Sequence, residues 1–368
     1  MLQNLQNLQA YLCECEADEG ITTLAQLHQD LQVAMQLEFA TLPPYLCAMY
    51  TINEATNPSV YHAIRSVVME EMFHLVNATN VLLATGGTPK VNCASFVPTY
   101  PTPLPNGETW FEVSLLKFSK SALQTFKNIE VPADLVDANK ETIGKFYERI
   151  QRGMSYLQNQ LGDALFSGDP SHQIPAKYYY GGGGEVTPVT DLASANFAIN
   201  AIISQGEGKP SGDWDPNAPF PLEEDTGLVD GDHDLFNQHR ELAHYFRFDE
   251  LDQGKRYVCG DSAASGPTGP TIKIDWDDIY NMHPNPSKKL YHDLPQIQKL
   301  NREFNLIFTR LLDELNTAFN GQPDNLIPAV KTMYELKYAA KTLMRIPLPN
   351  SPEGFYAGPT WEYLEDSQ

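Results

Sequence analysis

The sequence predicts a mainly α-helical protein: a four-helix bundle with extra C-terminal helices and long irregular insertions. Three observations predict it. Apolar residues recur at helical spacing through most long segments of the chain. Two of the nine histidines follow a glutamate by three positions, in Glu71-Met-Phe-His74 and Glu241-Leu-Ala-His244. Each pair also has a glutamate upstream in a helical context, Glu38 before the first and Glu207 before the second, at separations of 33 and 34 residues.

Taken in order, Leu2, Leu5, Leu8 and Leu12 form a first apolar stripe. Thr22-Thr23 then caps a helix over about 24–39, which the pair Pro43-Pro44 breaks or kinks before a second helix over about 45–52. A third runs over about 60–83 and stops at Gly86-Gly87. Five prolines make residues 88–110 an ordered excursion with short strands at most, and the excursions as a whole extend over 88–130, 208–230 and 253–292. Residues 142–165 carry Ile143, Phe146, Ile150, Met154, Leu157 and Leu161 at helical spacing. Helices over 192–205 and 234–251 complete the bundle. Two more follow, over 294–319 and 326–344. The expectation is one elaborated domain over 1–368, with a bundle core at about 22–252 and a helical extension at about 294–345.

On a helix, residues i and i+3 share a face, so each Glu-x-x-His pair presents a carboxylate and an imidazole together. One pair alone is weak evidence, because a local hydrogen bond explains it. Two such pairs plus two further glutamates give four carboxylates and two imidazoles, the donor set of dinuclear iron or manganese helix bundles. Burying that many carboxylates without a cation would cost several kcal/mol each. Glu38 sits on a largely apolar surface with Val33, Leu37 and Ala40. Glu207 stands at a helix end, where the macrodipole disfavours a negative charge. Glu70 lies about 100° from Glu71, as an ion-pair partner or a residue behind the ligands. The expected roles are Glu71 and Glu241 bridging, Glu38 and His74 completing one metal, and Glu207 and His244 the other, with the ions about 3.5–4 Å apart.

Mixed oxygen and nitrogen donors favour iron or manganese over thiolate-loving metals, and the histidines count against calcium. Two metal ions are expected, iron first and manganese as the alternative. Tyr45, Tyr50 and Tyr245 are the tyrosines nearest the ligands in sequence; core packing explains them better than electron relay. Gly181-Gly-Gly-Gly184 lacks the spacing of a phosphate loop and reads as a turn near the mouth of the site.

Composition narrows the function. The net charge of −22 argues against nucleic acid and anionic membrane as partners. No apolar run reaches membrane-spanning length, and Met1-Leu-Gln-Asn-Leu-Gln lacks the basic and apolar regions of a signal peptide, so the cytoplasm is expected. The five cysteines, Cys13, Cys15, Cys47, Cys93 and Cys259, match no zinc spacing, and Cys13 and Cys15 read as free thiols. No Cys-x-x-Cys-His attachment site for haem is present.

Several stretches carry a family resemblance: Gln36-Leu-Glu-Phe-Ala-Thr-Leu-Pro-Pro-Tyr-Leu46, Glu70-Glu-Met-Phe-His-Leu75, Tyr179-Tyr-Gly-Gly-Gly-Gly-Glu-Val186, Ile203-Ser-Gln-Gly-Glu-Gly208, Glu241-Leu-Ala-His-Tyr-Phe-Arg-Phe248 and Ala357-Gly-Pro-Thr-Trp361. With them the chain resembles the ferritin-like domain of the iminophenyl-pyruvate dimer synthase family, of bisindole pigment and indolocarbazole biosynthesis. It is little more than the ferritin-like portion of those longer enzymes. The resemblance implies Glu38, Glu71, His74, Glu207, Glu241 and His244 as metal ligands, and oxidative chemistry on amino-acid-derived imines.

The function expected is therefore that of a dinuclear metal oxidoreductase taking a small substrate and oxygen or peroxide, as a monomer or homodimer. Metal storage and a non-catalytic structural bundle are the alternatives. The long excursions would obstruct packing into a storage shell.

Overall fold

A computed structural model describes residues 20–107, 109–179, 183–206, 242–258 and 261–365. Its described helices are α1 (Leu24–Thr51), α2 (Pro58–Ala84), α3 (Lys120–Ile129), α4 (Ile143–Leu161), α5 (Leu192–Gly206), α6 (His244–Gln253), α7 (Pro295–Phe319) and α8 (Leu326–Leu343). Among the described residues, extended pairing is limited to isolated bridges, such as Thr102 with Val113. The protein is all-α.

Helix α1 starts with a capping box: the Thr23 hydroxyl accepts from the Gln26 N–H, and the Gln26 side chain accepts from the Thr23 N–H. The expected break at Pro43-Pro44 does not occur, and one helix runs through both prolines. Each proline removes a donor to the carbonyl four residues back. For Pro44 that carbonyl belongs to Ala40, and the Tyr100 hydroxyl donates to it at 2.7 Å. A side chain from the proline-rich excursion thus supplies the missing bond. The excursion itself is ordered as expected, and it feeds the core through Val91, Phe96, Val97 and Leu104.

Asn57 precedes α2 and Pro58 opens it, where the absent N–H costs no helical bond. The helix ends as expected at Gly86, whose φ of +81° suits glycine, and Gly87 returns its N–H to the Leu82 carbonyl at 2.9 Å. Helices α1 and α2 are buried on nearly every side over much of their length, as befits the centre of a larger protein. Around them α1 packs on α2, α2 on α5, α5 on α4, and α4 back on α1. This closes a four-helix ring. At one end α3 packs on α6, and both also touch the ring helices, α3 on α1 and α6 on α2 and α5.

Helices α7 and α8 form a hairpin that leans on α1 through α8. The terminal stretch returns to the bundle: Trp361 is buried against Phe304 and Phe308, and its Nε1 donates to Cys47 Sγ at 3.1 Å. Cys47 and Cys93 are free; Cys13, Cys15 and Cys259 lie outside the described residues, as do the N-terminal leucine stripe and Gly181-Gly182. Among the described residues no helix is long and apolar enough to cross a membrane.

Two elements differ from the sequence expectation. The segment 120–129 folds as a helix inside what read as irregular chain, capped by the Ser119 hydroxyl accepting from the Ala122 N–H. Its stripe of Ala122, Leu123, Phe126 and Ile129 is buried. The expected helix over 234–251 begins at His244 among the described residues, because Leu242 is non-helical and Ala243 is extended at ψ 154°. Residues 234–241, Glu241 among them, lie outside the described residues.

Candidate metal centre

Glu38 lies mid-way along α1, and Glu71 and His74 lie on one face of α2, as their spacing requires. His244 is the first residue of α6, and Glu130 directly follows the last turn of α3. All five side chains are buried, at 2% exposure or less. They fall into two groups whose donor atoms lie within 4.8 Å of one another: Glu38, Glu71 and His74, and Glu71, Glu130 and His244. Glu71 belongs to both.

The orientation of each donor is fixed from behind. His74 Nδ1 faces Glu38 Oε2 at 3.3 Å and Glu71 Oε1 at 3.7 Å, while its Nε2 meets Gln205 Oε1 at 2.9 Å. His244 Nδ1 faces Glu71 Oε1 at 2.9 Å and Glu130 Oε2 at 3.5 Å, while its Nε2 meets Glu70 Oε2 at 2.6 Å. The two rings stack with centroids 5.4 Å apart. On the carboxylates, Tyr147 donates to Glu38 Oε1 at 2.5 Å, Tyr45 donates to Glu130 Oε1, and Thr41 donates to Glu71 Oε2 at 2.7 Å. One oxygen of each carboxylate is thus held by a hydroxyl, and the other faces the imidazoles.

The concentration of buried carboxylates shifts the titration of the groups around it. Burial and the charge of Glu130 push Glu71 up to about 7. Burial favours neutral rings at His74 and His244, yet the facing carboxylates outweigh it and raise both, His244 furthest. Burial also raises Tyr45 and Tyr147 well above the usual phenol value, with the neighbouring carboxylates adding to it, so both stay protonated donors. Glu70 behaves oppositely: burial raises it, but Arg247 and His244 outweigh burial and hold it at about 2. This agrees with its expected place in an ion pair, here with Arg247 at 2.9 Å.

The site fits a metal pair on its own chemistry. Buried His244 Nδ1 approaches Glu71 Oε1 closely, yet among the described residues it makes no hydrogen bond of acceptable geometry. A ring nitrogen aimed between two carboxylates, Glu71 and Glu130, has a natural partner in a cation. Three carboxylates and two imidazoles, a mixed set of oxygen and nitrogen donors, suit iron or manganese.

Of the six residues expected from the sequence, the structure brings together Glu38, Glu71, His74 and His244. Glu207 and Glu241 lie outside the described residues. Gly206, the neighbour of Glu207, reaches the site: a Cβ placed on it would lie 3.3 Å from Glu130 Oε2. Glu130 was missed. Its signal was a lone carboxylate in the apolar context Ile129-Glu130-Val131, after a capped helical stripe. The described end of the glycine run, Gly183 and Gly184, packs on α2 beside the site. Gly183, at φ +96°, lies against the Glu70 backbone, where a Cβ would come within 3.0 Å, and its carbonyl accepts from Gln205 Nε2 at 2.6 Å.

A helical ring with paired carboxylate and histidine groups at its core defines a ferritin-like protein. The family model described as "Ferritin-like" matches residues 31–253, and the chain belongs to that family. It is 24% identical to a dichlorochromopyrrolate synthase of Lentzea aerocolonigenes over 94% of its own length, and it spans only 36% of that relative. The crystal structure of a ferritin-like protein from Caulobacter vibrioides aligns with 93% of the chain and 98% of that protein, with a TM-score of 0.55 and 19% identity, a likeness of fold.

Proposed function

We propose that the chain is a non-haem dinuclear metal oxidoreductase, with iron as the first candidate metal and manganese the second. Its substrate is a small amino-acid-derived imine or a related molecule. The observation that carries the proposal is Glu71, shared by two buried groups that each add one further carboxylate and one imidazole. The distant similarity to a synthase named for a chromopyrrolate product supports oxidative coupling as the reaction class. Coupling two such molecules releases two electrons and two protons, which dioxygen or peroxide would take up.

Glu71 would stand between the two ions, with Glu38 and His74 on one and Glu130 and His244 on the other; Glu207 and Glu241 complete the proposed set. A bound iron pair would supply redox equivalents and open coordination positions for oxidant and substrate. The chain's own groups do the rest. Thr41, Tyr45 and Tyr147 hold the carboxylates, and their burial keeps bulk water from competing for the donors. Glu70 and Gln205 fix the histidine rings, an arrangement that typically sets ligand orientation and basicity.

The test is anaerobic loading of metal-free protein with ferrous iron, followed by oxygen or peroxide with an imino-acid substrate. New charge-transfer absorption and consumption of the substrate are expected. An iron-loaded protein that stays spectroscopically silent and leaves the substrate untouched would refute the oxidoreductase reading. Size-exclusion chromatography completes the test: a monomer or dimer is expected, and a multi-subunit shell would favour storage.

A further inference from the structure

We infer that the two metal positions are unequal, the one served by His244 being the tighter. The difference is set by Glu70 behind His244 and Gln205 behind His74. The inference rests on the metal reading above and extends it to an order of loading.

Among the described residues the two halves of the site otherwise match. Each has one imidazole Nδ1, one outer carboxylate whose far oxygen accepts from a buried tyrosine, and a share of Glu71. They differ on the Nε2 side. Behind His74 the partner is the neutral Gln205 Oε1 at 2.9 Å, and the Gln205 amide passes on to the Gly183 carbonyl at 2.6 Å. That second bond fixes the amide, so its oxygen faces the ring and Nε2 is the donor. Behind His244 the partner is the Glu70 carboxylate at 2.6 Å.

Glu70 is itself held. Arg247 donates to its other oxygen at 2.9 Å and anchors on the Leu242 carbonyl at 2.6 Å and the Ser66 hydroxyl at 3.0 Å. Arg247 therefore stabilises the buried carboxylate and leaves one oxygen, Oε2, for the ring. Both arrangements turn an Nδ1 lone pair inward, but a carboxylate is the stronger acceptor. An imidazole backed by a carboxylate is the more basic ligand. Glu70 is a positioning residue acting through His244, and Gln205 is its weaker counterpart.

The measurement is a cobalt(II) titration of chelator-treated protein, followed by calorimetry and by the visible absorption of the bound ion. Two steps differing at least tenfold in affinity are expected, in line with typical effects of such outer partners. His244→Ala should abolish the tight step and His74→Ala the weak one. Glu70→Gln should bring the two steps together, with a changed absorption spectrum for the first ion only. Two indistinguishable steps in the wild type, or a folded Glu70→Gln protein with an unchanged ratio, would overturn the inference. Should circular dichroism show that Glu70→Gln does not fold, Gln205→Glu decides. Strengthening of the weak step supports the inference, and an unchanged weak step overturns it. Failure to bind any cobalt would instead remove the metal reading itself.

Discussion

Tyr147 on α4 donates its hydroxyl to Glu38 Oε1 on α1 at 2.5 Å, and this leaves Glu38 Oε2 facing His74 Nδ1 at 3.3 Å. The bond ties two ring helices at the level of the site. Tyr45 holds Glu130 in the same sense, so each outer carboxylate is aimed by a phenol from behind.

Tyr147→Phe should therefore destabilise the metal-free protein. It leaves a buried carboxylate one donor short, a loss of about 1–3 kcal/mol. Urea unfolding of chelator-treated protein would measure it as a lower midpoint at unchanged slope. An unchanged midpoint would show that Glu38 finds another donor.

Tyr100→Phe tests how α1 survives its two prolines. The variant strands the Ala40 carbonyl in a partly buried position, at an expected cost of about 1–3 kcal/mol. Stability should fall while metal stoichiometry stays that of the wild type. A variant as stable as the parent would mean that the Tyr100 bond does not support the helix.

The metal-free protein should lose stability as pH rises. Glu71 titrates near 7 when folded, against an ordinary value of 4.5, so the folded state keeps a proton that the unfolded chain releases across that window. Stability falls with pH wherever the folded state binds more protons. His74 and His244 are also raised, which carries the decline above neutrality. Thermal melting of chelated protein from pH 5 to 8 should show a falling Tm, and a rising one would contradict the electrostatic account. Bound metal should oppose the trend, because its ligands must be deprotonated.

Glu130→Ala should halve the metal content by emptying the position of His244, with the fold retained. Elemental analysis beside circular dichroism reads both. A variant that keeps the full wild-type content would exclude Glu130 and return its place to Glu207.

Most of the fold was legible because its helices carry strong apolar periods and ordinary stop signals, as at Gly86-Gly87 after α2. Glu38, Glu71, His74 and His244 stood out as charges or imidazoles within such apolar stripes. Three things escaped for physical reasons. Pro43-Pro44 reads locally as a break, and only a distant side chain, Tyr100, repairs it. Helix α3 is short and adjoins a proline-rich excursion, which hid Glu130. The start of α6 at His244, after non-helical Leu242 and extended Ala243, falls inside an unbroken apolar period and carries no stop signal in the sequence. A motif spacing has meaning only where the helix continues through it.

Glu71, placed between both groups, carries the central claim. Its most direct test is elemental analysis of wild type and Glu71→Ala, each reconstituted with ferrous iron under anaerobic conditions and freed of excess. The account predicts about two ions per chain in the wild type, as for a dinuclear site, and loss at both positions in the variant. A wild type that retains no stoichiometric metal, or a Glu71→Ala protein that retains both ions, would contradict it.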